Sequence, residues 1–195
     1  MKEKNSDRKK KERIELREKS MQNNQATEKQ EENPMRKIKI EKLVLSAGGT
    51  ADTLEKEFKL LKLISGEKPV KLQARKRIPS LGVRPGLEVG CKVTIREKIE
   101  PLLKRLLGGI DNKLKLKQIE DNHFSFGIEE YIEIPGMEYQ RDIGILGLNA
   151  TVIFTRKGKR VELRKIKKSR QGKKQAVSKD EIIKFMKQNY NVEME

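Results

Sequence analysis

The sequence predicts a protein that mixes helices and strands around one compact core and carries basic, solvated extensions. Three observations lead there. Short runs of apolar residues recur at the period of two expected of half-buried strands, and between them lie runs with apolar residues at helical spacing. The 195 residues carry a formal net charge of +17, with 38% charged and only 34% hydrophobic residues, which is enough for one core with solvated segments around it.

A charge balance this basic costs the compact state self-repulsion, and it is tolerated when a polyanion is bound in the working state. Nucleic acid is the first candidate and an anionic membrane surface the second. No apolar run approaches the roughly 18 residues needed to span a bilayer. Residues 1–32 have no apolar stretch like that of a signal peptide, and their many Glu residues argue against a transit peptide, so a cytoplasmic protein is expected. The single cysteine, Cys91, excludes an internal disulfide and a multi-thiolate zinc site. In "EVGCKVTIR" it alternates with polar neighbours as a small buried strand residue would.

The first boundary falls at Asn33-Pro34. Before it, residues 1–32 mix Lys and Arg with Glu and hold almost no large apolar side chains, a composition that reads as disordered in isolation. Residues 33–195 read as a single domain. "RKIKIEKLVLSA" alternates Ile38 and Ile40, then Leu43 and Leu45 after one phase slip, and reads as a strand. "ADTLEKEFKLLKLISG" places Leu54, Phe58, Leu61 and Ile64 at helical spacing and stops at Gly66, a C-cap residue. "KPVKLQA" and "LEVGCKVTIR" are strand-like and flank a long basic hairpin loop. "EKIEPLLKRLLGGI" is a second helix, with Pro101 in its first turns and a Gly108-Gly109 stop. Phe124, Phe126 and Ile128 alternate in another strand, a turn-rich stretch follows, and "LNATVIFTR" is read as the final strand, with Val152 and Phe154 on one face. Ser178 with Glu181 forms a capping box for a last amphipathic helix that carries Ile182, Phe185 and Met186 on one face.

The chemistry lies in two unbalanced basic segments. The loop holds Arg75, Lys76, Arg77 and Arg84 with no acid before Glu88. The tract from Arg156 to Lys174 also contains Arg164, Lys165, Lys167, Lys168, Arg170, Lys173 and Lys174 and only one acid, Glu162. Both read as phosphate contacts. Phe124 and Phe126 have the spacing of either a base-stacking platform or core packing. The scarcity of aromatics points to structured RNA held by shape and phosphates. His123, the only histidine, fits no ligand spacing, and "SAGGTADT" lacks the phosphate-loop glycine pattern. No catalytic constellation, metal site or cofactor site is expected. A free basic RNA- or DNA-binding regulator or RNA chaperone would share these features.

Four blocks carry a closer likeness. "NPMRKIKIEKLVL", "ISGEKPVKLQARKRIPSLGVRPGLEVGCKVTIR", "NHFSFGIEEYIEIPGMEY" and "RDIGILGLNATVIF" resemble, in order, consecutive blocks of the large-subunit ribosomal protein L-five family. The opening "NPM" and the basic extension after Phe154 are similar to the archaeal and eukaryotic form. The resemblance implies an α+β fold, a largely antiparallel sheet with helices packed on one side, and a non-enzymatic protein of the large subunit. It would dock on 5S rRNA in the central protuberance, beside large-subunit rRNA, neighbouring ribosomal proteins and the small-subunit head, which it reaches through an intersubunit bridge. The basic loop would reach P-site tRNA.

The resemblance further implies that 5S rRNA contacts come from Asn33, Met35 and Arg36 and from Ser46, Glu67, Leu81 and Thr94. Thr94 keeps the family residue. Ser46 stands where Asn or His is common, Glu67 where Gln is common, and Leu81 where Phe is usual. Leu81 cannot stack as an aromatic does, and Glu67 repels phosphate unless paired. The turn after the first strand is shortened to Ala47-Gly48-Gly49-Thr50, and Gln175-Ala176 replaces a usual His-Arg pair.

Overall fold

The computed structural model describes residues 33–195, so the expected disorder of residues 1–32 lies outside the described residues. These form two compact units: one runs over Ile38–Thr155 and Ala176–Glu195, and in the other residues 33–37 join Arg156–Gln175.

The larger unit is built on a six-stranded sheet. Its strands are β1 (Ile38–Ala47), β2 (Val70–Gln73), β3 (Glu88–Ile95), β5 (Ile119–Glu120), β6 (His123–Ile128) and β7 (Leu148–Arg156), in the order β2-β3-β1-β7-β6-β5. β3 is antiparallel to β1 and to β2, and β6 is antiparallel to β5 and to β7. Cross-strand partners share a face. The pairs Leu43 with Ile95, Leu45 with Val93 and Ala47 with Cys91 therefore aim at one side, as do Phe124 with Val152 and Phe126 with Ala150. Nearly all of these residues are buried, and they join side chains from three helices, α1 (Asp52–Ser65), α2 (Ile99–Gly108) and α4 (Lys179–Tyr190), in one core cluster. This is the α+β architecture expected.

Each helix ends where its sequence predicts. Gly66 takes a left-handed φ of 70° and its N–H donates to the Lys62 carbonyl, closing α1. α1 turns Leu54, Glu57, Leu60, Leu61 and Ile64 inward, leaving Phe58 only half-buried. The expected stripe is thus rotated by a fraction of a turn, which brings one carboxylate into the interior. At the start of α4 the Ser178 N–H donates to the Glu181 carboxylate at 3.0 Å, one arm of the capping box. Ile182 and Met186 are fully buried, while Phe185 lies at the margin and meets Phe154 edge-on, with ring centres 5.6 Å apart.

Two expectations need correction. The strand ending at Arg156 is not the last: after α4 comes β8 (Glu193–Met194), parallel to β4 (Lys113–Leu114) in a separate two-stranded sheet. Strands of two residues are too short for alternation to reveal. Asn122 explains how the chain is brought back into this unit, since its N–H donates to the Val177 carbonyl at 2.9 Å and its side-chain oxygen accepts from the Val177 N–H at 2.8 Å. The other concerns the basic tract, whose first residue, Arg156, is buried at 6% exposure.

The turn-rich segment between β6 and β7 is tied down by Tyr131. Its ring is fully buried, its N–H donates to the Leu146 carbonyl at 3.1 Å, and its hydroxyl accepts from the Gln140 N–H at 2.8 Å. A buried phenol with a hydrogen-bond partner fills the core without leaving a polar atom stranded.

Candidate nucleic-acid interface

The basic loop between β2 and β3 is a nested hairpin. The Ala74 N–H donates to Leu87 at 2.8 Å and the Gly86 N–H to Ala74 at 2.9 Å, forming the outer rung. Ile78 and Val83 exchange a second pair of backbone bonds at 2.9 and 3.1 Å. Beyond this rung a single 3₁₀ turn, Pro79–Leu81, forms the tip and closes on Gly82, whose φ of 64° an L side chain rarely adopts. Gly86 has φ 85° at the base. Proline and glycine stand where the turns require them, and the backbone rungs, with Val83 on the second of them buried at 5% exposure, hold the finger in shape.

Arg75, Lys76, Arg77 and Arg84 are all exposed on this finger. None forms an ion pair among the described residues; the first acid after the loop, Glu88, is engaged by Lys71 at 2.9 Å. Four exposed cations without an ion-pair partner among the described residues thus sit on a loop already braced by its backbone, the chemistry that phosphate contacts require. Leu81 at the tip is 70% exposed, so it is available for contact and supports no packing inside the protein.

Of the 5S-contact residues implied by the resemblance, Ser46 and Thr94 fall on one sheet face. Register places Val44 opposite Thr94 and Ser46 opposite Lys92, on the side away from Leu43, Leu45, Val93 and Ile95. Val70, opposite Lys92 on the edge strand, is 59% exposed and belongs to the same open face. Lys92 was not singled out from the sequence; the signal for it is its position two residues before Thr94 on the same strand. Glu67 is exposed in the loop after α1, where its N–H donates to Ser65 Oγ at 3.1 Å, and its carboxylate has no cationic partner among the described residues. The structure therefore brings Ser46 and Thr94 together and holds Glu67 and Leu81 apart on separate loops.

Asn33, Met35 and Arg36 belong to the smaller unit. Asn33 Oδ1 accepts from the Met35 N–H at 3.0 Å and the Asn33 carbonyl from the Arg36 N–H at 2.9 Å, a tight turn. Gln175 ties this turn to the basic tract: its amide nitrogen donates to the Lys157 carbonyl at 2.8 Å and to the Met35 carbonyl at 3.4 Å. Gln175 thus has a structural use within this unit.

Arg164, Lys165, Lys167, Lys168, Arg170, Lys173 and Lys174 are exposed throughout, around a four-residue helix α3 (Arg160–Leu163). Arg156 departs from the expectation of a tract of surface cations. It is only 6% exposed, and one terminal guanidinium nitrogen donates to the Lys174 carbonyl at 3.3 Å. Its guanidinium is turned onto the backbone of the tract's own far end, so it braces the tract and is not one of its surface cations.

Phe124 and Phe126 form no stacking platform. They are 0% and 3% exposed, their ring centres lie 5.9 Å apart, and Phe124 sits 5.7 Å from Phe154. His123 is half-buried, with Nε2 3.6 Å from the Glu120 carboxylate. No group of three or more His, Cys, Asp or Glu side chains is placed to hold a metal among the described residues. Cys91 is fully buried, and burial pushes its thiol up to about 11, so it stays neutral in the core as expected. The turn after β1 is built around Gly49, where an added Cβ would lie 2.6 Å from Thr53 Oγ1 and 2.9 Å from Glu57 Oε1. It is a crowded strand-to-helix turn. No helix is long and apolar enough to cross a membrane among the described residues.

Comparison with known proteins accounts for these features together. Residues 33–84 match the family model described as Ribosomal protein L5, and residues 88–185 match the model for the C-terminus of the same ribosomal family. The large ribosomal subunit protein uL5 of Nanoarchaeum equitans is 45% identical over 167 residues, covering 84% of this chain and 99% of the relative. The protein of the same name from Sulfurisphaera tokodaii is 38% identical over 85% of this chain and 96% of its own, and that from Methanobrevibacter smithii 36% identical over 82% and 96%. With both family models matched in order over the braced basic finger, the open sheet face and the core that supports them, the chain belongs to the ribosomal protein L5 family.

Proposed function

We propose that the protein is a structural, non-catalytic constituent of the large ribosomal subunit that binds 5S rRNA in the central protuberance. In this reading the open sheet face, with Ser46, Lys92 and Thr94, meets 5S rRNA together with Asn33, Met35, Arg36, Glu67 and Leu81. The finger carries Arg75, Lys76, Arg77 and Arg84 to P-site tRNA, and the exposed tract from Arg164 to Lys174 binds phosphates of large-subunit rRNA. Contacts with neighbouring proteins and with the small-subunit head complete an intersubunit bridge. The observation that carries the reading is the finger: four exposed cations without an ion-pair partner among the described residues, on a hairpin held by two backbone rungs, in a member of this family.

Sedimentation of cell extract through a sucrose gradient in high salt, with sequencing of the bound RNA, tests this. The protein should travel with the large subunit at one copy per 5S rRNA. Release into the light fractions with a mixed RNA population would make it a free regulator or RNA chaperone instead.

A further inference from the structure

A second basic surface lies well away from the finger. Lys39 on β1, Arg96 just beyond β3, and Lys98 and Lys104 at either end of the first turns of α2 ring a groove whose far wall is Phe185 and Tyr190 of α4. All four cations are exposed, and none forms an ion pair among the described residues. The one carboxylate in the lining is Glu100, so the groove keeps a surplus of positive charge. Tyr190 is half-buried against Phe185, with ring centres 6.4 Å apart, and Phe185 is itself held edge-on by Phe154. The ring of Tyr190 is thus fixed at the groove wall by a chain of aromatic contacts that ends in the core. Burial, and then the nearby Glu100, push its hydroxyl above the ordinary tyrosine range, so the phenol stays neutral.

The location separates this groove from the surfaces described above. It opens on the helix side of the sheet, whereas Ser46, Lys92 and Thr94 occupy the opposite face. Glu88 starts β3 beside the finger and Arg96 follows its far end, which puts the two basic surfaces about 25 Å apart along the strand.

We infer that this groove is a second RNA site, which takes a single-stranded RNA segment with its phosphates on Lys39, Arg96, Lys98 and Lys104 and a base stacked on Tyr190. Cations lining a groove with a fixed aromatic wall suit a strand that alternates charge and flat apolar faces. An acidic peptide would use the charges but would leave the ring without a function. The inference deepens the proposed function by giving the protein two RNA contacts on opposite sides of the sheet.

The test uses the full chain and a 12-nucleotide single-stranded RNA of mixed sequence containing 4-thiouridine. In a background where Arg75, Lys76, Arg77 and Arg84 are Ala, the RNA should still bind and photo-crosslink to the peptide containing Tyr190. Adding Lys39→Ala and Lys104→Ala, both at exposed positions, should weaken binding and flatten its dependence on log salt by about 1.4 in slope, the single-strand value for two phosphates. Tyr190→Phe should retain affinity, whereas Tyr190→Leu should lower it about tenfold with the melting temperature monitored alongside. Unchanged affinity on removing Lys39 and Lys104, or crosslinks confined to residues 156–174, would overturn the site. Displacement of the RNA by poly-glutamate of equal charge as effectively as by unlabelled RNA would assign the groove to an acidic protein segment. Binding of folded 5S rRNA, measured in parallel, reports on the proposed function separately, because it depends on the opposite face.

Discussion

Truncating Phe124 to Ala distinguishes a core residue from a base-stacking one. The ring is fully buried and has two aromatic neighbours, Phe126 at 5.9 Å and Phe154 at 5.7 Å. Removing a buried phenyl costs roughly 3–5 kcal/mol through lost transfer energy and the cavity left behind, and the two ring contacts place this site in the upper half of that range, at about 4 kcal/mol. In a domain of this size each kcal/mol moves the melting temperature by about 2–4 °C, so a loss on the order of 8–16 °C is expected. Urea denaturation followed by circular dichroism gives the free energy directly, and the slope with denaturant should stay unchanged. RNA affinity of the folded fraction should also be unaltered. A variant with wild-type stability and weakened RNA binding would refute the packing argument and restore the stacking platform.

Other expectations follow from the same geometry. Val93 and Ile95 are 2% and 3% exposed on the inward face of β3, so Val93→Asp or Ile95→Asp should each impair folding by about 3 kcal/mol or more, read as lost soluble yield and a lowered urea midpoint. Glu57 is 6% exposed with Oε2 unpartnered, and burial raises its pKa above the usual 4.5. A raised carboxyl contributes fully below the unfolded value and loses that contribution as pH rises through the folded one. Glu57→Gln should therefore stabilise the protein at pH 7, by on the order of 1 kcal/mol, with the gain shrinking as pH falls through the raised folded value and gone below about pH 4.5 in paired urea titrations. Deleting Lys165–Lys174 should flatten the salt dependence of rRNA binding in a filter assay, and an unchanged slope would mean that this tract faces solvent.

Much of this was legible in the sequence because it depends on local chemistry. The finger announced itself through Pro79, Gly82, Pro85 and Gly86 between two strand-like runs, since glycine and proline fix turns whatever the tertiary context. The capping box at Ser178 and the stop at Gly66 are local in the same way. What the sequence left open depends on neighbours distant in the chain. Whether Phe124 and Phe126 face a core or a ligand is decided by the helices that cover that side, since alternation only says that they share a face. Arg156 reads as one more cation in a basic run, yet it is buried and bonded to the Lys174 carbonyl, 18 positions along the chain. Strands β4 and β8 were missed because two residues cannot display a period, and their pairing joins positions roughly 80 residues apart. The grouping of Lys39, Arg96, Lys98 and Lys104 requires β1, β3 and α2 to meet, which no spacing reveals.

The most direct test of the functional account replaces Arg75, Lys76, Arg77 and Arg84 together with Ala. These side chains are exposed and the finger is held by backbone bonds, so stability should change little. On assembled ribosomes at low salt, retention of P-site tRNA should fall to a similar degree for different tRNAs, because phosphate contacts carry no sequence information. The defect should narrow at high salt, where the wild-type contacts are already screened. Binding of 5S rRNA should persist through the open sheet face. Ribosomes carrying the quadruple variant that hold P-site tRNA as well as wild type at low salt would contradict the role given to the finger, and complete loss of 5S rRNA binding would place the finger on 5S rRNA itself.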